Sequence, residues 1–223
     1  MYAGKNFYPV LYPSMRPQLP IATLTPHTFW QRKIEAMTHD LAADRARLAE
    51  LIRELAVVHG KVTLSSGNEA DYYIDLRRIT LHHEAAPLVG RVMLGLLDDA
   101  GIEFEAAGGL TMGADPVGTA VMHAAGDRNI DAFVVRKEQK AHGMSRQVEG
   151  PGVDGRKVVI LEDTSTTGGS ALAAVDGVRR AGGDIQAVAV IVDRDTGAAE
   201  HVAEQAGVPY LYAFSKNDLG LTD

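Results

Sequence analysis

Residues 158–170 read Val-Val-Ile-Leu-Glu-Asp-Thr-Ser-Thr-Thr-Gly-Gly-Ser, and this stretch restricts the fold more tightly than any other. Val158 to Leu161 form an apolar run that suits a strand buried on both faces. Glu162 and Asp163 follow as adjacent carboxylates. A loop of small, hydroxylated and glycine residues runs from Thr164 to Ser170, and Ala171 to Val175 opens a helical pattern. A strand, a small-residue loop and a helix N-terminus make an anion site, because free N–H groups and the positive dipole end point into the loop. Thr/Gly/Ser turns are common as plain loops. The carboxylate pair argues for more, since two adjacent acids at a strand end repel unless a ligand or donors satisfy them. Phosphate in the loop and hydroxyls beside the acids describe a phosphorylated sugar. The segment lacks the Gly-Lys-Ser/Thr ending of a Walker loop and the three spaced glycines of a dinucleotide fingerprint.

The 223 residues fit one domain with a small appendage. A net charge of −7 argues against a sequence-independent nucleic-acid binder, so an anionic ligand must be met by a local cationic cluster. The chain has no cysteine, which removes thiolate nucleophiles and Cys-based metal sites and leans toward a cytoplasmic location. No apolar run reaches the length of a membrane span, and no basic segment followed by an apolar stretch marks a secretory signal.

Residues 1–36 read as an N-terminal extension, flexible or not native, rich in proline and without periodicity. Met37, just ahead of a well-formed helix start, is an alternative initiation residue. The domain proper is expected over 37–223. Asp40 or Thr38 caps a helix that carries Leu41, Leu48, Ile52 and Leu55 and ends near His59-Gly60. Short strands are expected at 62–64 and 72–76. A helix through Leu88, Val92 and Leu96 stops at Gly101, and a strand runs from Phe104 to Leu110. Asp115 caps a helix with Pro116 at its first position, reaching about Ala125. Strands at 132–135, 158–161, 185–192 and 209–214 alternate with helices at 169–181 and 197–206, and residues 136–152 form a polar loop. The alternation predicts an α/β fold: an open, mostly parallel sheet flanked by helices. Ligands of such sheets sit beyond the carboxyl ends of the strands, here 109–113, 136–137, 162–170 and 193–194.

Arg136-Lys137-Glu138-Gln139-Lys140-Ala141-His142-Gly143, with Arg146 beyond it, supplies the cationic cluster. A lid carrying Lys140 and His142 would neutralise a leaving diphosphate and exclude water. His142 has the pKa range to donate a proton. The alternative is a solvated basic loop. His82, His83 and His123 show no metal-site spacing and read as surface or packing residues.

These residues resemble the type I phosphoribosyltransferase family. Residues 158–170 are similar to its phosphoribosyl-diphosphate signature. Arg-Lys-x-x-Lys-x-His-Gly at 136–143 resembles the catalytic loop of the orotate branch. So do Leu64-Ser65-Ser66-Gly67 and Asp71-Tyr72-Tyr73-Ile74-Asp75 in an N-terminal hood, placed mainly in 37–80, and Asp193-Arg194 near the end of the chain. The resemblance implies transfer of phosphoribose from phosphoribosyl diphosphate to orotate in pyrimidine synthesis, with Mg2+ and a homodimer whose subunits share sites. It implies Lys140, His142 and Asp163 as catalytic groups. Phosphoribosyl diphosphate would meet Arg136, Lys137, Lys140, His142, Glu162, Asp163, Thr164, Ser165, Thr166, Thr167, Gly168, Gly169 and Ser170. Orotate would meet Thr166, Arg194 and Tyr73. Two positions depart from the pattern: Ser65 and Thr111-Met112 stand where many members carry lysine and Tyr-Lys. A purine or xanthine phosphoribosyltransferase and a non-catalytic phosphoribosyl-diphosphate-binding regulator are the competing readings.

Overall fold

The computed structural model describes residues 40–63, 69–137 and 146–221. The extension at 1–36, the hood motif from Leu64 to Gly67, and Lys140 with His142 lie outside the described residues. Asp40–Asp223 make up one compact unit.

Asp40 opens the first helix, α1 (Leu41–Leu51), and its Oδ1 accepts from the N–H groups of Ala42 and Ala43 at 3.0 and 3.2 Å. The helix does not reach His59-Gly60. It widens into a π-turn (Ile52–Ala56) and gives way to strand β1 (Val57–Thr63). Val57 and Val58 decide this. Their branched side chains lose freedom in a helix, and they pair with Ile74 and Tyr73 of β2 (Glu69–Ile74). The two strands form a small antiparallel sheet of their own. A short helix α2 (Arg77–Thr80) follows, then α3 (Ala85–Asp99).

The main sheet contains β3 (Ala106–Leu110), β4 (Asp131–Val135), β5 (Val148–Glu149), β6 (Lys157–Ser165), β7 (Asp184–Asp193) and β8 (Tyr210–Ser215). Its order is β5-β4-β3-β6-β7-β8. All neighbours are parallel except β5, which runs antiparallel on the edge beside β4. The expected polar loop at 136–152 is therefore interrupted by a strand, because Val148 and Glu149 complete the free edge of β4. The remaining helices are α4 (Ala114–Ala124), α5 (Gly169–Arg180) and α6 (Ala198–Ala206).

Both faces of β6 are buried, and alternate residues serve opposite layers. Val159 and Leu161 join the core with α1, α3 and α4, while Val158 and Ile160 join the core with α5 and α6. Two expectations change here. Thr164 and Ser165 are not loop residues, since they pair with Val192 and Asp193 as the last rungs of β6. Asp115 is not a cap. The helix already begins at Ala114, and the Asp115 carboxylate accepts from the Thr111 hydroxyl at 2.8 Å. Pro116 is still tolerated, because the first helical N–H groups need no partner within the helix.

Chain order reverses between β3 and β6, which places a crevice beyond their carboxyl ends. Buried polar groups mark the same place. Five polar or charged side chains are buried among the described residues, and four of them, Glu162, Ser165, Asp193 and Arg194, lie at the ends of β6 and β7.

Candidate active site

A cleft of about 940 Å³ opens at this switch point. The turn after β3, the end of β6, the loop before α5, Arg194 and the β2–α2 segment line it. Of the residues expected at a site, Tyr73, Lys137, Glu162, Asp163, Thr164, Thr166, Thr167, Ser170 and Arg194 come together here.

The loop between β6 and α5 is shorter than expected and built around Gly168. This residue caps α5 at φ +79°, and a Cβ there would stand 2.1 Å from Val202 Cγ2, so only glycine fits. The first helical bond runs from the Leu172 N–H to the Gly168 carbonyl at 2.9 Å. The N–H groups of Gly169, Ser170 and Ala171 are thereby left to serve an anion. Gly168 and Gly169 shape the loop without lining the cleft with side chains. Ser165 is 3% exposed and turns away from the cleft.

Glu162 and Asp163 hold the floor. Glu162 Oε1 accepts from the Asp163 N–H at 3.0 Å, and Asp163 Oδ1 accepts from the Thr164 N–H at 2.7 Å. Burial, then the neighbouring Asp163 carboxyl, push Glu162 up to about 9. Glu162 is therefore protonated at neutral pH in the ligand-free protein. Gly113 lets the β3 turn stand against this pair: a Cβ there would meet Asp163 Oδ1 at 2.7 Å and Glu162 Oε1 at 2.9 Å.

The cations are distributed. Lys137 faces the cleft, but Arg136 does not line it; its guanidinium lies 3.5 Å from Glu149. Arg194 is 8% exposed and its guanidinium sits over the Tyr72 ring, 5.4 Å from the centroid. Asp75 and Arg77, paired at 2.8 Å on the rim, were not expected as site residues. Thr111, Met112 and Gly113, part of the strand end at 109–113 expected to face a ligand, line the cleft opposite Glu162 and Asp163. The Asp-x-Arg spacing at 75–77 was the available signal, but only the docking of the hood over the sheet gives it meaning.

No family model matches the chain. The orotate phosphoribosyltransferase of Streptomyces coelicolor is 64% identical over 179 residues, which span 79% of this chain and 97% of the relative. The chain belongs to the orotate phosphoribosyltransferase family. Among solved structures of the family, that of the Mycobacterium tuberculosis H37Rv enzyme in complex with Fe(III) dicitrate is 60% identical with a TM-score of 0.72, covering 80% of this chain and 99% of that one. The same enzyme in complex with 5-phospho-alpha-D-ribosyl 1-diphosphate aligns with a TM-score of 0.69 and 54% identity over the same shares. These solved structures share the open α/β sheet described above.

Proposed function

We propose that this protein transfers the 5-phosphoribosyl group from phosphoribosyl diphosphate to orotate, yielding orotidine 5′-phosphate and diphosphate for pyrimidine nucleotide synthesis. The observation that carries this reading is Arg194. Its buried guanidinium has no carboxylate or carbonyl partner among the described residues and opens on the cleft. A cation that opens on the cleft beside an aromatic ring and without an anionic partner suits a ligand that supplies the counter-charge, and a planar carboxylate such as that of orotate matches its fork. Thr166 and Tyr73 flank the same space.

In this reading the sugar phosphate sits at the α5 N-terminus, held by the N–H groups of Gly169 and Ser170 and the hydroxyls of Thr166, Thr167 and Ser170. Protonated Glu162 donates to a ribose hydroxyl oxygen and Asp163 offers acceptor oxygens to the ribose hydroxyls. A ring nitrogen of orotate, giving up its proton, forms the new bond at the anomeric carbon as diphosphate departs with the bonding electron pair and takes up that proton. Negative charge near the ring favours the oxocarbenium-like transition state, and Lys137 faces the developing diphosphate charge. Lys140 and His142 are assigned to the same leaving group through their sequence motif.

Mg2+ belongs to this proposal. No group of three or more metal-ligating side chains occurs among the described residues, so the available donors are the hard oxygens of Asp75 and Asp163 together with those of the substrate. That set suits an ion that retains water and binds mainly through phosphates. Bound there, the ion would neutralise diphosphate charge. A homodimer is also proposed, supported by large apolar side chains left exposed at the cleft rim, Met112 (63%) and Tyr73 (38%). No helix among the described residues is long and apolar enough to cross a membrane, which accords with the proposed cytoplasmic location.

The test is the fall of orotate's ultraviolet absorbance with phosphoribosyl diphosphate and Mg2+ present. Consumption of orotate is expected. Consumption of adenine or xanthine in its place would overturn the assignment.

A further inference from the structure

We propose that Tyr210 and Asp193 are positioning residues that aim Arg194 at the acceptor substrate by holding the turn at 193–196 in one shape. The inference rests on the orotate reading above and names the groups that set its acceptor specificity. Asp193 is 2% exposed at the end of β7. Both of its oxygens are occupied: Oδ2 accepts from the Tyr210 hydroxyl at 2.5 Å, and Oδ1 accepts from the Asp195 N–H at 2.7 Å. The second bond closes a turn in which Asp195 has φ +52°, a conformation that an L residue rarely holds without external support. Among the described residues no other non-glycine has a positive φ.

Each residue after Asp193 is tied to a different part of the site. The Arg194 N–H donates to the Ser165 carbonyl at 3.1 Å, at the last rung of β6. The Asp195 N–H is held by Asp193. The Thr196 hydroxyl donates to the Thr166 carbonyl in the phosphate loop. Arg194 is thus aimed from a turn braced against both the strand and the loop that hold the sugar phosphate. Tyr210 stands at the start of β8 and does not line the cleft, so it acts through Asp193 and not on the substrate. Burial and the Asp193 carboxylate push its phenol above its ordinary range, which keeps it a donor at all physiological pH values.

The experiment is steady-state kinetics on the full chain, varying orotate and phosphoribosyl diphosphate separately. Tyr210→Phe keeps the ring and its packing but removes the donor. Its KM for orotate is expected to rise about tenfold, as loss of one hydrogen bond to a charged group predicts, with KM for phosphoribosyl diphosphate within about twofold of wild type. Asp193→Asn preserves the shape and an acceptor for the Asp195 N–H. It should raise KM for orotate by only about threefold and so provide conservative rescue. An unchanged orotate KM in Tyr210→Phe, or an equal rise for both substrates, overturns the proposal. Should Tyr210→Phe lack a cooperative melt, the same two criteria apply to Asp193→Asn. A wild-type protein that leaves orotate unconsumed refutes the parent reading instead, so the two failures are distinguishable.

Discussion

Replacing Glu162 with Gln should change how the stability of the ligand-free protein depends on pH. Glu162 is 5% exposed, and burial with the adjacent Asp163 carboxyl raises it from 4.5 to about 9. Its folded pKa lies above its unfolded one, so between those values the unfolded chain releases a proton that the native state keeps. The contribution to stability is complete below the unfolded value and is lost as pH climbs toward the folded value. Each unit of that interval is worth about 1.4 kcal/mol, so by pH 7 the native state has lost about 3 kcal/mol from this group alone. Gln remains neutral throughout and carries no such slope. Urea unfolding of both proteins across about pH 5 to 8 measures the difference directly. The Gln variant should gain stability over wild type by several kcal/mol as pH rises across that range. A stability difference that stays flat over the range refutes the argument, because it would mean that Glu162 ionises in the folded protein as it does in the unfolded chain. The same group explains a division of labour at the site. Under the function proposed above, the chain tolerates a buried acid that weakens the fold at neutral pH because a bound ribose would supply the partners that the protein withholds.

Other perturbations follow from individual contacts. Gly168→Ala forces an L side chain to φ +79° with its Cβ 2.1 Å from Val202 Cγ2, and should destabilise by about 2–4 kcal/mol in urea unfolding and raise KM for phosphoribosyl diphosphate. Gly177→Ala places a Cβ 2.8 Å from Val135 Cγ1 and 3.2 Å from Gln147 Cδ, and should cost about 1–3 kcal/mol in the same assay. Gln147 donates to the Arg136 carbonyl at 3.1 Å, so this variant also disturbs the strand end that carries Lys137. Arg194→Ala should raise KM for orotate at least about tenfold while leaving KM for phosphoribosyl diphosphate nearly unchanged. Lys140→Ala should lower turnover by about one to several orders of magnitude with an unchanged melting temperature; near-normal turnover would remove the lysine from the assignment.

The sequence by itself determined the α/β architecture and named the strand ends that line the cleft. Apolar runs such as Val158 to Leu161 suit a strand inside a parallel sheet covered on each side, and the carboxylate pair ahead of the glycine and hydroxyl loop argues for a ligand over a plain turn. Boundaries were less legible. The π-turn at Ile52–Ala56 and the strand at Val57 depend on the partner strand Glu69–Ile74, and the two-residue edge strand Val148–Glu149 exists only because β4 exposes a row of unpaired groups. Local pattern also misjudged Thr164 and Ser165, whose loop-like composition is overruled by ladder partners on β7.

Tertiary structure alone decided the electrostatics. Adjacent carboxylates in a sequence announce repulsion but not which one is buried; the closed strand end and the Gly113 turn bury Glu162 and push it above the ordinary carboxylate range. The sequence places Asp193-Arg194 at a strand end but does not say what either side chain meets. The fold saturates Asp193 with donors from Tyr210 and Asp195 and leaves Arg194 over an aromatic ring, facing the cleft. Composition and periodicity are properties of neighbours along the chain. The charge and reach of a buried group are set by whatever the fold packs around it, and for Arg194 that includes a tyrosine sixteen positions further on.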